Sequence, residues 1–208
     1  LIGGPEVPVC AGDGKCLTRE REHVSVHGKT GLGEYKFPKN SRKLLDEDVI
    51  EVLNKTIMES NEKITILCVS PTTNLAKLFQ KYPESKKNIE KIVIMAGSIE
   101  PTPKGVAPYP EFNVSVDPEA AEIVFGAGVP MEIVPMEMGH TAYLDWQEVF
   151  KTKNLNFVGS VFEVMFRSYK DRHVKNGIAT HDSCAIAYIT NPEIFKVEPV
   201  KVVSEVDK

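Results

Sequence analysis

The chain has 208 residues, of which 42% are hydrophobic and 26% charged, the balance of an ordinary globular protein. Disorder, collagen and a coiled coil are excluded as the main state, and a chain of this length buries roughly 70% of its unfolded surface. With 25 basic and 29 acidic residues the net charge is −4, which argues against nucleic-acid binding, since phosphate contacts need clustered Lys and Arg.

Residues 1 to 40 are rich in Gly, Pro and charge and read as surface loops. Within them His27-Gly28-Lys29-Thr30-Gly31-Leu32-Gly33 is a mobile or tightly turned loop. Residues 46 to 59 read as an amphipathic helix. Val49, Ile50, Leu53 and Ile57 fall at helical spacing, and Asp46, Glu47 and Asp48 suit its positive end. Ile64 to Val69 is a short β-branched run before Ser-Pro and reads as a buried strand. Thr73 to Tyr82 reads as a helix stopped before Pro83.

Lys91 to Met95 is a second buried strand. Asp117 is an N-cap, followed by Pro118 at the first helical position and a helix through Phe125. Met131 to Pro135 is a third strand. Residues 145 to 151, 157 to 175 and 181 to 189 read as helices, and Lys196 to Val206 alternates like a strand. Strands alternating with helices predict an α/β fold, a mostly parallel sheet flanked by helices. The whole of 1–208 reads as one domain.

Of four cysteines, Cys68 and Cys184 sit in apolar runs and read as core. Cys10 and Cys16 lie close together in a polar loop and could pair or remain free thiols. No apolar run is long enough to span a membrane, and no signal or lipidation motif is visible, which gives a cytoplasmic expectation. The first residue is Leu1 rather than Met, so the natural N-terminus is expected upstream.

In a parallel sheet a ligand site forms beyond the carboxyl ends of the strands. The polar residues gather there: Ser70 to Asn74 after the first strand, Glu111-Phe112-Asn113 in the chain after the second, Glu137 and His140 after the third. In an extended segment Glu111 and Asn113 face the same way, and a carboxylate beside an amide can grip vicinal hydroxyls. A solvated loop before a capped helix is the plainer alternative. His181-Asp182 opens an apolar helix. The carboxylate is stabilised there and could bind a hard cation, and the imidazole could protonate a leaving group near neutral pH. Simple capping by Asp182 is the rival explanation. No Gly-x-Gly-x-x-Gly follows any predicted strand, so a dinucleotide fold fares badly.

Taken in order, these segments resemble the inosine–uridine-preferring nucleoside hydrolase family. The resemblance is carried by Pro8-Val9-Cys10-Ala11-Gly12, the His27 to Gly33 loop, Pro71-Thr72-Thr73-Asn74-Leu75-Ala76 and Ile94-Met95-Ala96-Gly97. It continues through Glu111-Phe112-Asn113, Asp117-Pro118 with Ala120-Ala121, and His181-Asp182-Ser183-Cys184-Ala185. It implies hydrolysis of the N-glycosidic bond of ribonucleosides, of the inosine and uridine type, to ribose and free base. One Ca2+ ion holds the ribose hydroxyls and the attacking water in that family, and the enzymes assemble as homodimers or homotetramers. By the same resemblance His181 is the acid for the departing base. Asp182 and the backbone carbonyl of Val69 are metal ligands, Met95, Glu111 and Asn113 hold the ribose, and His27 lies beside the base.

Three departures stand out. The family's Asp-x-Asp-x-Gly-x-Asp-Asp segment has no counterpart here. The Asn upstream of Glu-Phe-Asn is missing from Pro101 to Pro110, and the usual Thr-His after the third strand reads Gly139-His140. They make the chain read as a truncated nucleoside hydrolase, or as a non-catalytic relative that binds ribosides or partner subunits.

Overall fold

The computed structural model describes residues 6–20, 35–37, 42–99, 111–167, 177–202 and 206. The His27 loop, the Pro101 to Pro110 segment and the end of the helix expected over 157 to 175 lie outside the described residues.

Helix α1 (Val49–Met58) begins later than the periodicity suggests, because Asp48 leaves the helix and caps it. Its side chain accepts from the backbone N–H of Ile50 and Glu51. Strand β1 is Ile64–Cys68 and helix α2 is Thr73–Lys81, followed by a 3-10 turn at Pro83–Asn88. Strand β2 is Ile89–Met95. A single helical turn, α3 (Phe112–Ser115), precedes α4 (Pro118–Phe125). Strand β3 (Met131–Val134) stops before Pro135, which has no N–H to give the ladder. Then come α5 (Met136–Thr141), the short β4 (Tyr143–Asp145), α6 (Trp146–Thr152), α7 (Phe157–Arg167), β5 (Gly177–Ala179) and α8 (His181–Thr190).

The three strands β1, β2 and β3 form a parallel sheet in that order. β2 lies in the middle, and its residues Ile92 to Met95 are buried. That explains why it reads as a continuous apolar run rather than an alternating one. Ile92 and Ile94 pack with α1, α2 and α4 through Ile57, Leu78, Phe79, Ala120 and Val124. Val93 and Met95 pack on the other face with Val134, Cys184, Ala185 and Tyr188, so α8 covers that side. A separate cluster of Trp146, Val149 and Ile178 gathers Phe150, Phe162 and Phe166 around α6 and α7.

Two expectations are corrected. Lys196 to Val206 forms no strand among its described residues. Val197 and Val200 are exposed, and Pro199 cannot donate to a ladder. Glu111 and Asn113 do not alternate in an extended segment, because a helical turn begins at Phe112 with Glu111 as its N-cap. None of the four cysteines is in a disulfide, and Cys16, Cys68 and Cys184 are buried. No helix among the described residues is long and apolar enough to cross a membrane.

Candidate active site

The site is assembled from the segments that leave the carboxyl ends of the strands. At the end of β2, Gly97 adopts φ +73, a left-handed conformation that suits glycine. Its carbonyl accepts the N–H of Met136 at 2.9 Å, joining the end of β2 to the start of α5. Its own N–H donates to Glu111 Oε2 at 3.2 Å. Glu111 also accepts from the backbone of Asn113 at 2.8 Å and of Val114 at 3.2 Å. One buried carboxylate therefore caps α3 and anchors it to β2. Asn113 completes the junction, its Nδ2 donating to the Met95 carbonyl at 3.0 Å.

Burial pushes the Glu111 carboxyl above the ordinary carboxylate range. The three backbone donors pull it back, and the Asp182 carboxylate adds to the rise. That last effect puts the Asp182 carboxylate within electrostatic reach of Glu111. Glu111, Asn113 and Met95 are thus brought together as the sequence suggests, but by a helical turn. Glu111 Oε2 takes two backbone donors, whereas Oε1 takes one and keeps acceptor capacity.

His181 is placed by the short antiparallel pair of β4 and β5, in which Tyr143 lies opposite Ala179. This pairing returns the chain beside α5 just before α8 begins. The Thr180 hydroxyl donates to the Ala142 carbonyl, and the Thr180 N–H donates to the Gly139 carbonyl at 3.4 Å. With its hydroxyl so engaged, Thr180 makes no side-chain cap on α8. The His181 ring meets His140 edge to face, with centroids 5.2 Å apart. Its Nδ1 is buried and finds no hydrogen-bond partner. Burial first, and then His140, push the imidazole below its ordinary pKa, while the Met136 backbone and Asp182 act the other way.

Asp182 lies exposed in the first turn of α8. Val69 comes directly after β1, and its half-buried side chain packs on the Val93, Met95 and Cys184 cluster. A calcium ion takes about six to eight oxygens. Among the described residues no group of three or more His, Cys, Asp or Glu is placed to hold a metal ion. Asp182 and the Val69 carbonyl are two donors of the right chemistry, and they do not make a complete site by themselves.

Comparison with known proteins gives this geometry a context. A family model described as inosine-uridine preferring nucleoside hydrolase matches residues 1–208. The chain belongs to that family. As a nucleoside hydrolase relative it is 33% identical, over 202 residues, to a protein of Klebsiella pneumoniae named non-specific ribonucleoside hydrolase RihC, covering 96% of this chain and 66% of that one. The protein of the same name from Escherichia fergusonii is 32% identical over the same coverage. Among solved structures, the purine-preferring ribonucleoside hydrolase from Gardnerella vaginalis superposes with a TM-score of 0.84 at 27% identity. The match covers 95% of this chain and 66% of that one. A plant nucleoside hydrolase gives a TM-score of 0.81 at 26% identity over 91% of this chain and 62% of its own. The nucleoside hydrolase-like chain therefore spans 66% of the length of the sequence relatives it matches.

The sequence places His140 among the polar residues after the third strand but does not show how Gly139 meets His181. Nothing local signals that contact, beyond a glycine standing inside a helix.

Proposed function

We propose that the protein to which this chain belongs hydrolyses the N-glycosidic bond of ribonucleosides, releasing ribose and a free base. The observation that carries the reading is the family match along residues 1–208. The geometry of α8 supports it. His181 stands at the start of that helix, beyond the sheet, with Asp182 beside it and Glu111 within electrostatic reach.

In this reading the His181 imidazolium gives its proton to the nitrogen of the departing base, and charge develops on the ribose as an oxocarbenium-like centre. A lowered pKa makes the imidazolium the stronger acid, at the expense of its population at neutral pH. Glu111, Asn113 and the Met95 region hold the ribose hydroxyls. Glu111 accepts through Oε1, which has a single backbone donor, while the Asn113 amide is fixed against Met95. His27, beside the base in this reading, lies outside the described residues.

Calcium is the proposed cofactor. Asp182 and the Val69 carbonyl would contribute to its shell, and a complete shell of about six to eight oxygens needs further donors. Inosine and uridine are the proposed substrates, and a homodimer or homotetramer is the proposed assembly.

A second reading is a riboside-binding chain without catalysis, in which the junction of Glu111, Asn113 and Met95 grips the sugar. One assay separates the two. Ribose release from inosine and uridine is measured with calcium and again with a chelator. Chelator-sensitive turnover supports the hydrolase. Riboside binding without turnover, by a folded preparation, supports the second reading. Sedimentation of the same sample tests the assembly.

A further inference from the structure

Beneath the His181 imidazole the α5 backbone comes unusually close. A Cβ built on Gly139 would lie 2.6 Å from Cγ and 2.7 Å from Cε1 of that ring, and closer still to Nδ1. Carbon atoms in ordinary contact stand about 3.5–4.0 Å apart. Even an alanine at this position is incompatible with the ring where it lies. The three nearest atoms all belong to His181.

Backbone conformation does not explain the glycine. Gly139 lies inside α5, and the described glycines with positive φ are Gly97 and Gly128. Glycine inside a helix is disfavoured relative to alanine, so local stability argues for a different residue here. Gly139 is buried, and its carbonyl accepts the N–H of Thr180, the residue just before His181. The ring therefore has Gly139 against one side of it and His140 meeting it edge to face.

We propose that Gly139 is a positioning residue, whose missing side chain is the seat that fixes the His181 ring against His140. Its catalytic consequence rests on the reading of His181 as the acid; the seat itself does not.

The test is a four-member set of this chain: the parent sequence, Gly139→Ala, His181→Ala and the double variant. In the parent background Gly139→Ala lowers the thermal midpoint, because the ring must leave its seat. In the His181→Ala background the obstructing atoms are gone, and the same change leaves the midpoint unaltered or raises it. Equal loss in both backgrounds overturns the proposal. If Gly139→Ala alone fails to fold, a folded double variant supports the seat, and failure of both overturns it.

A spectroscopic readout accompanies the cycle. Nuclear Overhauser contacts between the Gly139 Hα protons and the His181 ring protons are expected in the parent chain, and their absence counts against the seat. In the inosine assay, Gly139→Ala lowers kcat about a hundredfold with KM little changed and has no further effect once His181 is alanine. A raised KM at constant kcat overturns the positioning role. If the parent chain releases no ribose, the hydrolase reading of this chain fails, while the stability cycle and the ring contacts still decide the seat.

Discussion

Asp117 and His181 stand at the beginnings of two helices, α4 and α8, and their surroundings differ in kind. Asp117 is fully buried. Its Oδ2 accepts from the Leu17 N–H at 3.0 Å and the Thr73 hydroxyl at 2.6 Å, and its Oδ1 accepts from Ala120 at 3.2 Å. One carboxylate ties the 13–17 loop, α2 and α4 together, and both of its oxygens are engaged in the architecture. His181 is only half-buried, yet its Nδ1 is enclosed without a partner. Its ring lies between a glycine and another imidazole, with a hydrogen bond to the Met136 backbone. The difference separates a polar group that holds the fold from one that the fold holds.

The comparison can be broken most directly at His181. His181→Ala is expected to slow inosine hydrolysis by about 10²–10⁴-fold, while sparing an activated nitrophenyl riboside whose leaving group needs no proton. Steady-state kinetics on the two substrates check this, and equal loss on both removes His181 from the acid role. Its effect on stability is expected to be the smaller one, since the ring makes no hydrogen bond through Nδ1.

Asp117→Ala is expected to do the reverse. It strands three donors and removes an N-cap, for a loss of about 3 kcal/mol or more in urea unfolding. Asp117→Asn keeps one acceptor and is expected to fall between the two.

Glu111 lies between these extremes, and pH sharpens its position. Its carboxyl is raised by burial, so the folded protein binds that proton more tightly than the unfolded chain does. The stability linked to this proton is complete below the ordinary carboxylate pKa and is lost as pH rises through the raised folded value. Parent chain and Glu111→Gln are therefore compared in urea across that range, and the parent's relative stability is expected to fall with rising pH. A flat difference would mean that the backbone donors offset burial entirely. Smallest of all, Asp48→Ala removes an exposed cap from α1 and is expected to cost about 1 kcal/mol, with no change in any kinetic constant.

Much of the scaffold is legible in the sequence alone. β2 announces itself because a central parallel strand is buried on both faces, and Asp117-Pro118 marks a helix start because a cap and a fixed φ act locally. Local signals fail where the outcome depends on distant partners. Lys196 to Val206 has the alternation of a strand, but no described strand lies alongside it, and Pro199 interrupts its donors. β4 and β5 are three residues each, too short to show a period, yet they set His181 beside α5. The candidate residues Glu111, Asn113 and Met95 come from motif resemblance, while the turn that unites them is not legible in the motif. Gly139 is invisible as a functional residue, because its role exists only after α8 packs on α5.

Gly97 carries a consequence for how such a protein can change over evolutionary time. Its carbonyl clips the start of α5 to the end of β2, and its N–H clips Glu111 to the same point. The two clips pin both ends of the chain between Gly97 and Glu111, so that stretch can be lengthened, shortened or rewritten without dragging the sheet ends along. Changes of length there are expected to leave the junction of β2, α3 and α5 in place, because both of its hydrogen bonds lie outside the stretch.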